Sequence, residues 1–192
     1  VVGSGERGSG DPISRWKLGT YAIDPLLSMR MRWGAFISNA EMFDNGFFSI
    51  SPAEASAMDP QQRILLERSY EAFADARFHK ASLMGSSIGV FVGVANMDYA
   101  EILRRLPAGK GAYSATSATL SVVSGRISFS LGMQGLCVSY DTACSAALVA
   151  AHAAHRALQF GECVNGLVAG VSLMLLPSTG FSFGVAGMTS PK

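Results

Sequence analysis

Hydrophobic and polar positions along the chain follow two kinds of pattern. A short apolar run rich in valine lies among glycines at 88–94, and a second largely apolar run lies at 167–175. Such runs are typical of strands buried on both faces of a parallel sheet. Longer segments before and between these runs have apolar residues that recur at helical spacing. These segments predict helices at about 60–77, 98–106, 115–131 and 146–160. The alternation of strands and helices predicts an α/β layered domain.

At two predicted helix starts, a proline directly follows a capping residue in the sequence. Residues 51–54 (Ser-Pro-Ala-Glu) form a capping box with proline at the first helical position. Residues 59–62 (Asp-Pro-Gln-Gln) repeat the device and open a helix that we expect to run to about Arg77. A well-capped packing helix is a sufficient interpretation of this second segment. Its predicted apolar stripe consists of Ile64, Leu65, Tyr70 and Phe73.

The first 36 residues contain no extended periodic pattern. We expect a loop over 1–19 and irregular structure from Arg15 to Phe36, with turns near Asp24 and Gly34. Residues 3–8 fit the glycine pattern of dinucleotide-binding proteins. That pattern needs a strand before it and a helix after it, and neither is predicted here, so we reject it.

The stretch 135–148 predicts a short strand, a tight turn carrying Cys144, and a helix that starts at the thiol. A cysteine at a helix N-terminus meets the positive end of the helix dipole, which favours the thiolate. The free N–H groups there can also hold a developing oxyanion. Ala143 and Ser145 leave room for a substrate close to the backbone. Asp141 would oppose the thiolate unless its carboxylate serves as a cap or turn group.

Two readings of Cys144 remain open from the residues alone. Free cysteine is among the most frequently buried residue types, so this residue could simply pack in the core. A base for the thiol is not evident either. His152 lies about 12 Å along the helix axis at ~1.5 Å per residue, beyond the roughly 3 Å reach of a hydrogen bond. His155 lies farther along the same helix, and His79 stands in no motif. We expect no metal site at these histidines.

Composition narrows the class of protein without assigning a function. The 192 residues are 49% hydrophobic and 15% charged, with 21 glycines, which indicates a large core with many tight turns. A net charge of +1 gives no electrostatic argument for nucleic acid or an anionic membrane. Three cysteines without a secreted-scaffold spacing indicate reduced thiols inside the cell, in the cytoplasm or a plastid. We expect neither a signal peptide nor a membrane span.

A series of short motifs resembles the β-ketoacyl synthase family, specifically the ketosynthase domains of modular type I polyketide synthases. The resemblance covers roughly residues 14–192. The string 58–63 (Met-Asp-Pro-Gln-Gln-Arg) and the nucleophile signature 141–145 (Asp-Thr-Ala-Cys-Ser) are the most specific. The other matching segments, in order, are 15–16, 43–52, 89–93, 125–129, 131–135, 161–163, 169–171 and 187–191.

The resemblance implies a thiolase-like α/β fold, layered α/β/α/β/α in a complete domain, of which this chain would be most of the N-terminal half. It implies that Cys144 takes an acyl chain from the phosphopantetheine thioester of an acyl carrier protein. A malonyl-type extender on a carrier protein would then lose CO₂ and attack the acyl-enzyme. The backbone N–H of Cys144 would contribute to the oxyanion hole. No cofactor bound by this chain is implied.

The same resemblance implies further site residues and partners. Met133 and Gln134 would lie near the acyl pocket and a dimer interface, where the strand 136–140 pairs with its twin. Ala143 and Ser145 would contact substrate. Two catalytic histidines are expected beyond Lys192, so we expect this stretch alone to be inactive. A neighbouring acyltransferase domain is also expected.

Two departures from the family pattern bear on the substrate. Leu136-Cys137 stands where Pro-Ser is common, and Ala146-Ala147 where serines are common. Both changes are small enough to leave the chemistry intact, but they put the class of acyl substrate in doubt. The alternatives are a fatty-acid-type condensing enzyme, another thiol acyltransferase such as a thiolase, and a non-catalytic ketosynthase homologue that dimerises.

Overall fold

The computed structural model describes residues 7–9, 24–31, 34–35 and 37–190. The chain divides into two compact units, one made of 1–41 and 174–192 and a larger one made of 42–173. The described helices and strands, in chain order, are β1 (Arg7–Ser9), α1 (Pro25–Met31), β2 (Gly34–Ala35), α2 (Pro52–Ala57), α3 (Pro60–Asp75), α4 (Lys80–Leu83), β3 (Gly89–Val94), α5 (Tyr99–Arg105), α6 (Ser114–Ser117), α7 (Leu120–Leu131), β4 (Cys137–Tyr140), α8 (Ala146–Gln159), β5 (Gly166–Val171) and α9 (Pro177–Val185).

The larger unit is built on a three-stranded parallel sheet in the order β4-β3-β5. Val90 of the central strand β3 pairs with Cys137 on one side and with Leu167 on the other. Every residue of β3 is buried. The buried parallel strand predicted at 88–94 is therefore confirmed. Strands β4 and β5 are parallel to it, but the burial predicted for them is wrong, because no residue of β4 is fully buried and only Leu167 is buried in β5. The parallel arrangement brings the carboxyl ends of all three strands to one edge of the sheet.

Helices cover both faces of this sheet. Val90, Val92 and Val94 point to one face and pack in a large core with residues of α3 and α7. Phe91 points to the other face and packs in a smaller cluster against the small residues of α8. The buried face of α8 consists of Ala146, Ala150, Ala154 and Ala157. An all-alanine face lets the helix backbone approach the sheet closely.

Local capping signals determine most of the helix ends. The Ser51 hydroxyl accepts from the Glu54 N–H at 3.1 Å, as the capping box predicts. The Asp59 carboxylate accepts from the Gln61 N–H at 2.8 Å and caps α3. Helix α7 ends at Gly132 with φ +71°, and Gly161 follows α8 with φ +69°. Glycine adopts this left-handed conformation without a Cβ penalty, which explains both stops.

The continuous helix predicted over 115–131 is wrong, because the chain forms α6 and α7 with an extended break at Thr119. Donor groups distant in sequence form hydrogen bonds with the carbonyls near the break. The Asp59 N–H donates to the Ser117 carbonyl at 2.9 Å, and the Gln62 side chain donates to the Thr116 carbonyl at 3.3 Å. These tertiary partners replace the bonds that a continuous helix would have made.

Three further expectations need correction. The strand predicted at 167–175 is β5, which begins at Gly166 and ends at Val171. The irregular structure expected before Phe36 contains α1, whose start is capped by the Asp24 carboxylate accepting from the Leu26 N–H at 2.9 Å. The loop expected over 1–19 includes β1, which pairs antiparallel with β2. Residues 3–6 of the rejected glycine pattern and the pair 15–16 lie outside the described residues.

In the smaller unit, α1 packs against α9. The Leu27 side chain lies where a Cβ on Gly184 would be, so the absent side chain permits the contact. The Arg30 guanidinium donates to the Gly184 carbonyl at 3.4 Å, near the C-terminal end of α9, where a positive charge is favourable. Within the part of the chain that the structure describes, no helix is both long and apolar enough to cross a membrane.

Candidate functional site

Cys144 lies in the short turn that joins β4 to α8. Strand β4 ends at Tyr140, a single 3₁₀ turn spans Ala143–Ser145, and α8 begins at Ala146. The turn is tight, because Ala143 has φ +53°, a left-handed value that residues with a Cβ seldom adopt. Cys144 is exposed, which excludes its interpretation as a packed core residue in this structure. The predicted strand, thiol-bearing turn and helix are confirmed.

The polar residues of the turn bond to their own backbone. The Asp141 carboxylate accepts from the Ala143 N–H at 3.1 Å, so this residue serves as a turn cap. The Ser145 hydroxyl lies 2.8 Å from the Thr142 carbonyl, to which it donates. Asp141 and Ser145 therefore stabilise the conformation of the turn around the thiol. Of the two roles that the sequence left open for the Asp141 carboxylate, the structure shows the turn cap.

The first turn of α8 is seated directly on the two strands behind it. A Cβ on Gly93 of β3 would lie 2.5 Å from the Ala147 nitrogen. A Cβ on Gly170 of β5 would lie 2.7 Å from the Ala147 Cβ. Both distances are shorter than any real contact, so only glycine permits the approach. The position of Cys144 is thus tied to the carboxyl ends of β3 and β5.

A buried glutamine links these two strand ends. The Gln61 side chain is 1% exposed. Its Nε2 donates to the Asn96 carbonyl at 2.5 Å, and its Oε1 accepts from the Leu173 N–H at 3.0 Å. Asn96 follows β3 by two residues, and Leu173 follows β5 by two residues. We call Gln61 with these two partners the Gln61 clamp.

Asp59 lies at the base of the clamp. Its Oδ2 is 3.4 Å from the Gln61 Nε2, and its Oδ1 accepts from the Gln61 N–H. Burial raises the pKa of the Asp59 carboxyl to about 6, although the hydrogen bonds from Gln61 act in the opposite direction. Burial removes water from the carboxylate, and this disfavours the charged form more than the two hydrogen bonds favour it.

A second buried glutamine takes part in a separate network. The Gln62 Oε1 accepts from the Arg126 Nε at 2.8 Å, and Arg126 also forms an ion pair with Glu54. With the bond to Thr116, this network joins α3 to α2, α6 and α7 and makes none of the contacts at the ends of β3 and β5. Gln61 and Gln62 are therefore neighbours of equal burial with different partners.

The other residues singled out from the sequence have diverse surroundings. Met133 is 6% exposed and lies in the large core, whereas Gln134 is exposed. Their placement at an acyl pocket stays a prediction. His152 and His155 are exposed on α8, and His79 is exposed before α4. Of the remaining cysteines, Cys137 is exposed and Cys163 is buried.

Sequence reasoning missed the Gln61 clamp. The sequence of 59–62 predicts a helix start and forms part of a family motif, but neither observation assigns partners to the two glutamines, which lie on the buried side of α3. Gln61 precedes the buried Leu65 by four residues, and Gln62 precedes the buried Leu66 by four. An amide at helical spacing with apolar core residues must find buried partners, and that signal was available.

The comparisons with known proteins agree on one family. The profile of the family described as "Beta-ketoacyl synthase, N-terminal domain" matches residues 4–192. The chain is 45% identical over 187 residues, 95% of its length, to the pikromycin polyketide synthase component PikAII of Streptomyces venezuelae. It is 48% identical over 156 residues, 81% of its length, to the polyketide synthase GfsB of Streptomyces halstedii. It spans only 5% and 3% of these two relatives.

Solved ketosynthases share the fold. The ketosynthase from module 6 of the bacillaene synthase of Bacillus subtilis 168 aligns with a TM-score of 0.83 at 36% identity, over 95% of this chain and 30% of that one. The oxazolomycin ketosynthase domain OzmH KS7 of Streptomyces albus JA3453 aligns with a TM-score of 0.81 at 32% identity, over 93% and 32%. The thiolase-like α/β fold is thereby confirmed for this part of a domain. The chain belongs to the β-ketoacyl synthase family, as a match to its N-terminal domain.

Proposed function

We propose that this chain carries the nucleophile of a β-ketoacyl synthase of polyketide biosynthesis, and that the nucleophile is Cys144. The observation that carries the proposal is the exposed thiol at the start of α8, where the carboxyl ends of parallel strands meet. Sites in α/β folds are commonly built at this edge. Membership in the family and the polyketide synthase relatives support the reaction class.

In the first step the Cys144 thiolate attacks the carbonyl carbon of an acyl thioester. A bond forms from the Cys144 sulfur to the acyl carbon, and the bond from that carbon to the carrier sulfur breaks. The proton lost by the Cys144 thiol balances the one gained by the departing carrier thiol. Backbone N–H groups at the start of α8, including that of Cys144, would hold the oxyanion.

In the second step a malonyl-type thioester loses CO₂, and the electron pair left on its carbon attacks the acyl group on Cys144. A carbon–carbon bond forms, the bond to the Cys144 sulfur breaks, and the thiolate returns. The product is a β-ketoacyl thioester, so the specific class is a 3-oxoacyl-[acyl-carrier-protein] synthase. The resemblance assigns the enolate chemistry to two histidines expected beyond Lys192.

The partners follow from this chemistry and the family. An acyl carrier protein presents each thioester on phosphopantetheine, which acts here as substrate and not as a resident cofactor. Residues 1–192 correspond in this proposal to the N-terminal portion of a ketosynthase domain that works beside an acyltransferase. In the complete domain, strand β4 at the edge of the described sheet would pair with a second copy.

Competitive thiol acylation tests the proposal in the intact protein. An acyl N-acetylcysteamine thioester, which imitates the end of phosphopantetheine, is expected to acylate Cys144 at least about tenfold faster than Cys137. Cys137 is the comparison thiol because it is exposed in this structure too. Since its strand β4 would pair with a second copy in the complete domain, the acylation rate of each cysteine is divided by its rate of alkylation by iodoacetamide, which corrects for access. Peptide mass spectrometry locates the label, and Cys144→Ala should abolish it. Equal labelling of the two exposed cysteines in folded protein would reject the nucleophile assignment.

A further inference from the structure

We propose that Gln61 is a positioning residue for Cys144: its clamp on the ends of β3 and β5 sets the place of the turn that carries the thiol. The inference rests on the proposed function of Cys144 and adds to it a residue 83 positions earlier in the chain. Gln61 is on the α3 face of the sheet, so it acts through the strands and makes no contact with the thiol.

The clamp is attached to the two loops that follow β3 and β5. Gln61 bonds to residues 35 and 112 positions away, and each lies just past the end of a strand. A third bond joins the same two loops, since the Asn96 side chain lies 3.1 Å from the Ser172 hydroxyl. The carboxyl ends of β3 and β5 are therefore linked beyond the last pair of the ladder, Val94 with Val171.

The positions of the strand ends affect the turn through two close contacts with α8. Gly93 and Gly170, which approach Ala147 in the first turn of α8, are each one residue from the ends of β3 and β5. These close approaches leave no space for either strand end to move toward α8 without a displacement of Ala147. Cys144 precedes Ala147 by three residues, within one helical turn.

The hydrogen-bonding capacity of the Gln61 amide determines which substitutions break the clamp. The Gln61 side chain donates at Asn96 and accepts at Leu173 through one planar amide, and an aliphatic side chain of this length can do neither. A Gln61→Met variant keeps the side-chain length but breaks both bonds. A Gln61→Leu variant also lacks a donor and an acceptor and is one atom shorter. Each leaves a buried backbone group unpaired, so the strand ends must move or admit water.

The test compares neighbouring glutamines in the intact protein. Gln62→Met is the matched control: it removes an equally buried amide one residue away, whose partners lie on α6 and α7. For each variant the acylation of Cys144 by an acyl N-acetylcysteamine thioester is resolved into a KM and a maximal rate constant. Iodoacetamide alkylation of Cys144 relative to Cys137 and the free energy of unfolding are measured on the same samples.

Gln61→Met and Gln61→Leu are expected to lower the maximal acylation rate constant at least about tenfold with little change in KM, because a misplaced reactive group loses rate more than binding. Gln62→Met is expected to lose a similar unfolding free energy but to stay within about twofold of wild-type acylation. Wild-type acylation in a folded Gln61 variant would overturn the inference. So would an equal loss in Gln62→Met, or a failure of both Gln61 variants to fold while Gln62→Met folds.

The experiment also separates this inference from the proposed function. If the wild-type protein forms no acyl-Cys144, the proposed function has failed. The positioning role is then decided by alkylation: it stands if the ratio of Cys144 to Cys137 alkylation changes in the Gln61 variants and not in Gln62→Met, and it falls otherwise. If the wild type is acylated and the Gln61 variants match it, the inference alone fails.

Discussion

The thiol of Cys144 is exposed because the backbone turns sharply at the residue before it. Ala143 at φ +53° and the Asp141 cap fold the chain within the five residues, 141–145, between strand and helix. The small side chains in the turn leave its backbone accessible. Sequence analysis predicted the location of this turn and the small residues in it. It did not predict the left-handed conformation of Ala143, which alanine by itself disfavours.

At the same scale, Asp59 makes stability depend on pH. Its pKa of about 6 in the folded protein exceeds the ordinary value of 3.8, so the folded state holds a proton that the unfolded state has lost between these values. Its contribution to stability is therefore greatest below pH 4 and is lost as the pH rises through 6. At 1.36 kcal/mol per pH unit the loss is on the order of 3 kcal/mol.

We predict that Asp59→Asn removes this dependence. Asparagine caps a helix as well as aspartate but carries no titrating group. The unfolding free energy of the variant should increase relative to that of the wild type by about 2 kcal/mol between pH 4.5 and 7.5. Urea denaturation at the two pH values measures this difference. A constant offset between variant and wild type across the range would contradict the assigned pKa.

At the scale of elements, the approach of α8 to the sheet depends on glycines in the strands. We predict that Gly93→Ala destabilises the larger unit by at least about 1–3 kcal/mol, because the new Cβ would lie 2.5 Å from the backbone of Ala146 and Ala147. A displacement of α8 should also slow the acylation of Cys144. Urea denaturation and the acylation assay measure the two effects.

Gly125→Ala is the matched control for that prediction. Gly125 lies within α7, and a Cβ there meets no atom within 4 Å. Alanine favours a helix over glycine by about 1 kcal/mol, so this variant should gain stability and keep wild-type acylation. If Gly93→Ala and Gly125→Ala had the same effect on stability and acylation, the prediction that Gly93 permits the close approach of α8 would be wrong.

Helix boundaries illustrate the limit of local prediction. Gly132 and Gly161 end α7 and α8 where their positions predicted, because a glycine stop depends only on backbone conformation. The break between α6 and α7 depends on donors from Asp59 and Gln62, which lie more than 50 residues earlier. Nothing in the local sequence indicates where those donors will be.

At the scale of the molecule, apolar side chains are exposed on α8 and the segment after it. Leu148 is 74% exposed, Phe160 67% and Val164 69%. Exposed apolar residues in this number are typical of surfaces that another part of a protein covers. Because the chain corresponds to 30% of a solved ketosynthase, such a cover is expected from the remainder of a domain.

We therefore predict that the 192-residue chain, produced alone, associates with itself and that Leu148→Gln reduces the association. The substitution removes a large apolar side chain from water and should leave the unfolding free energy within about 0.5 kcal/mol. Sedimentation velocity over a range of concentrations measures the effect. Leu148→Met, which keeps the apolar surface, should behave as wild type. A chain that stays monomeric at all concentrations would contradict this prediction.

The sequence by itself determined the features that depend on near neighbours. The capped starts of α2 and α3, the buried strand β3 and the strand–turn–helix around Cys144 follow from residues a few positions apart. The family resemblance was also available from the sequence, because its motifs are short and ordered along the chain.

Only the tertiary structure decided which distant groups meet. The same Gln61 that looked like a helix-start residue bonds to carbonyl and N–H groups 35 and 112 positions away. Its amide could have met any backbone group that the fold left unpaired, and only the packing of α3 against the sheet selected Asn96 and Leu173. The contact between Gly93 and Ala147 was decided in the same way, because it depends on how closely two already formed elements can approach.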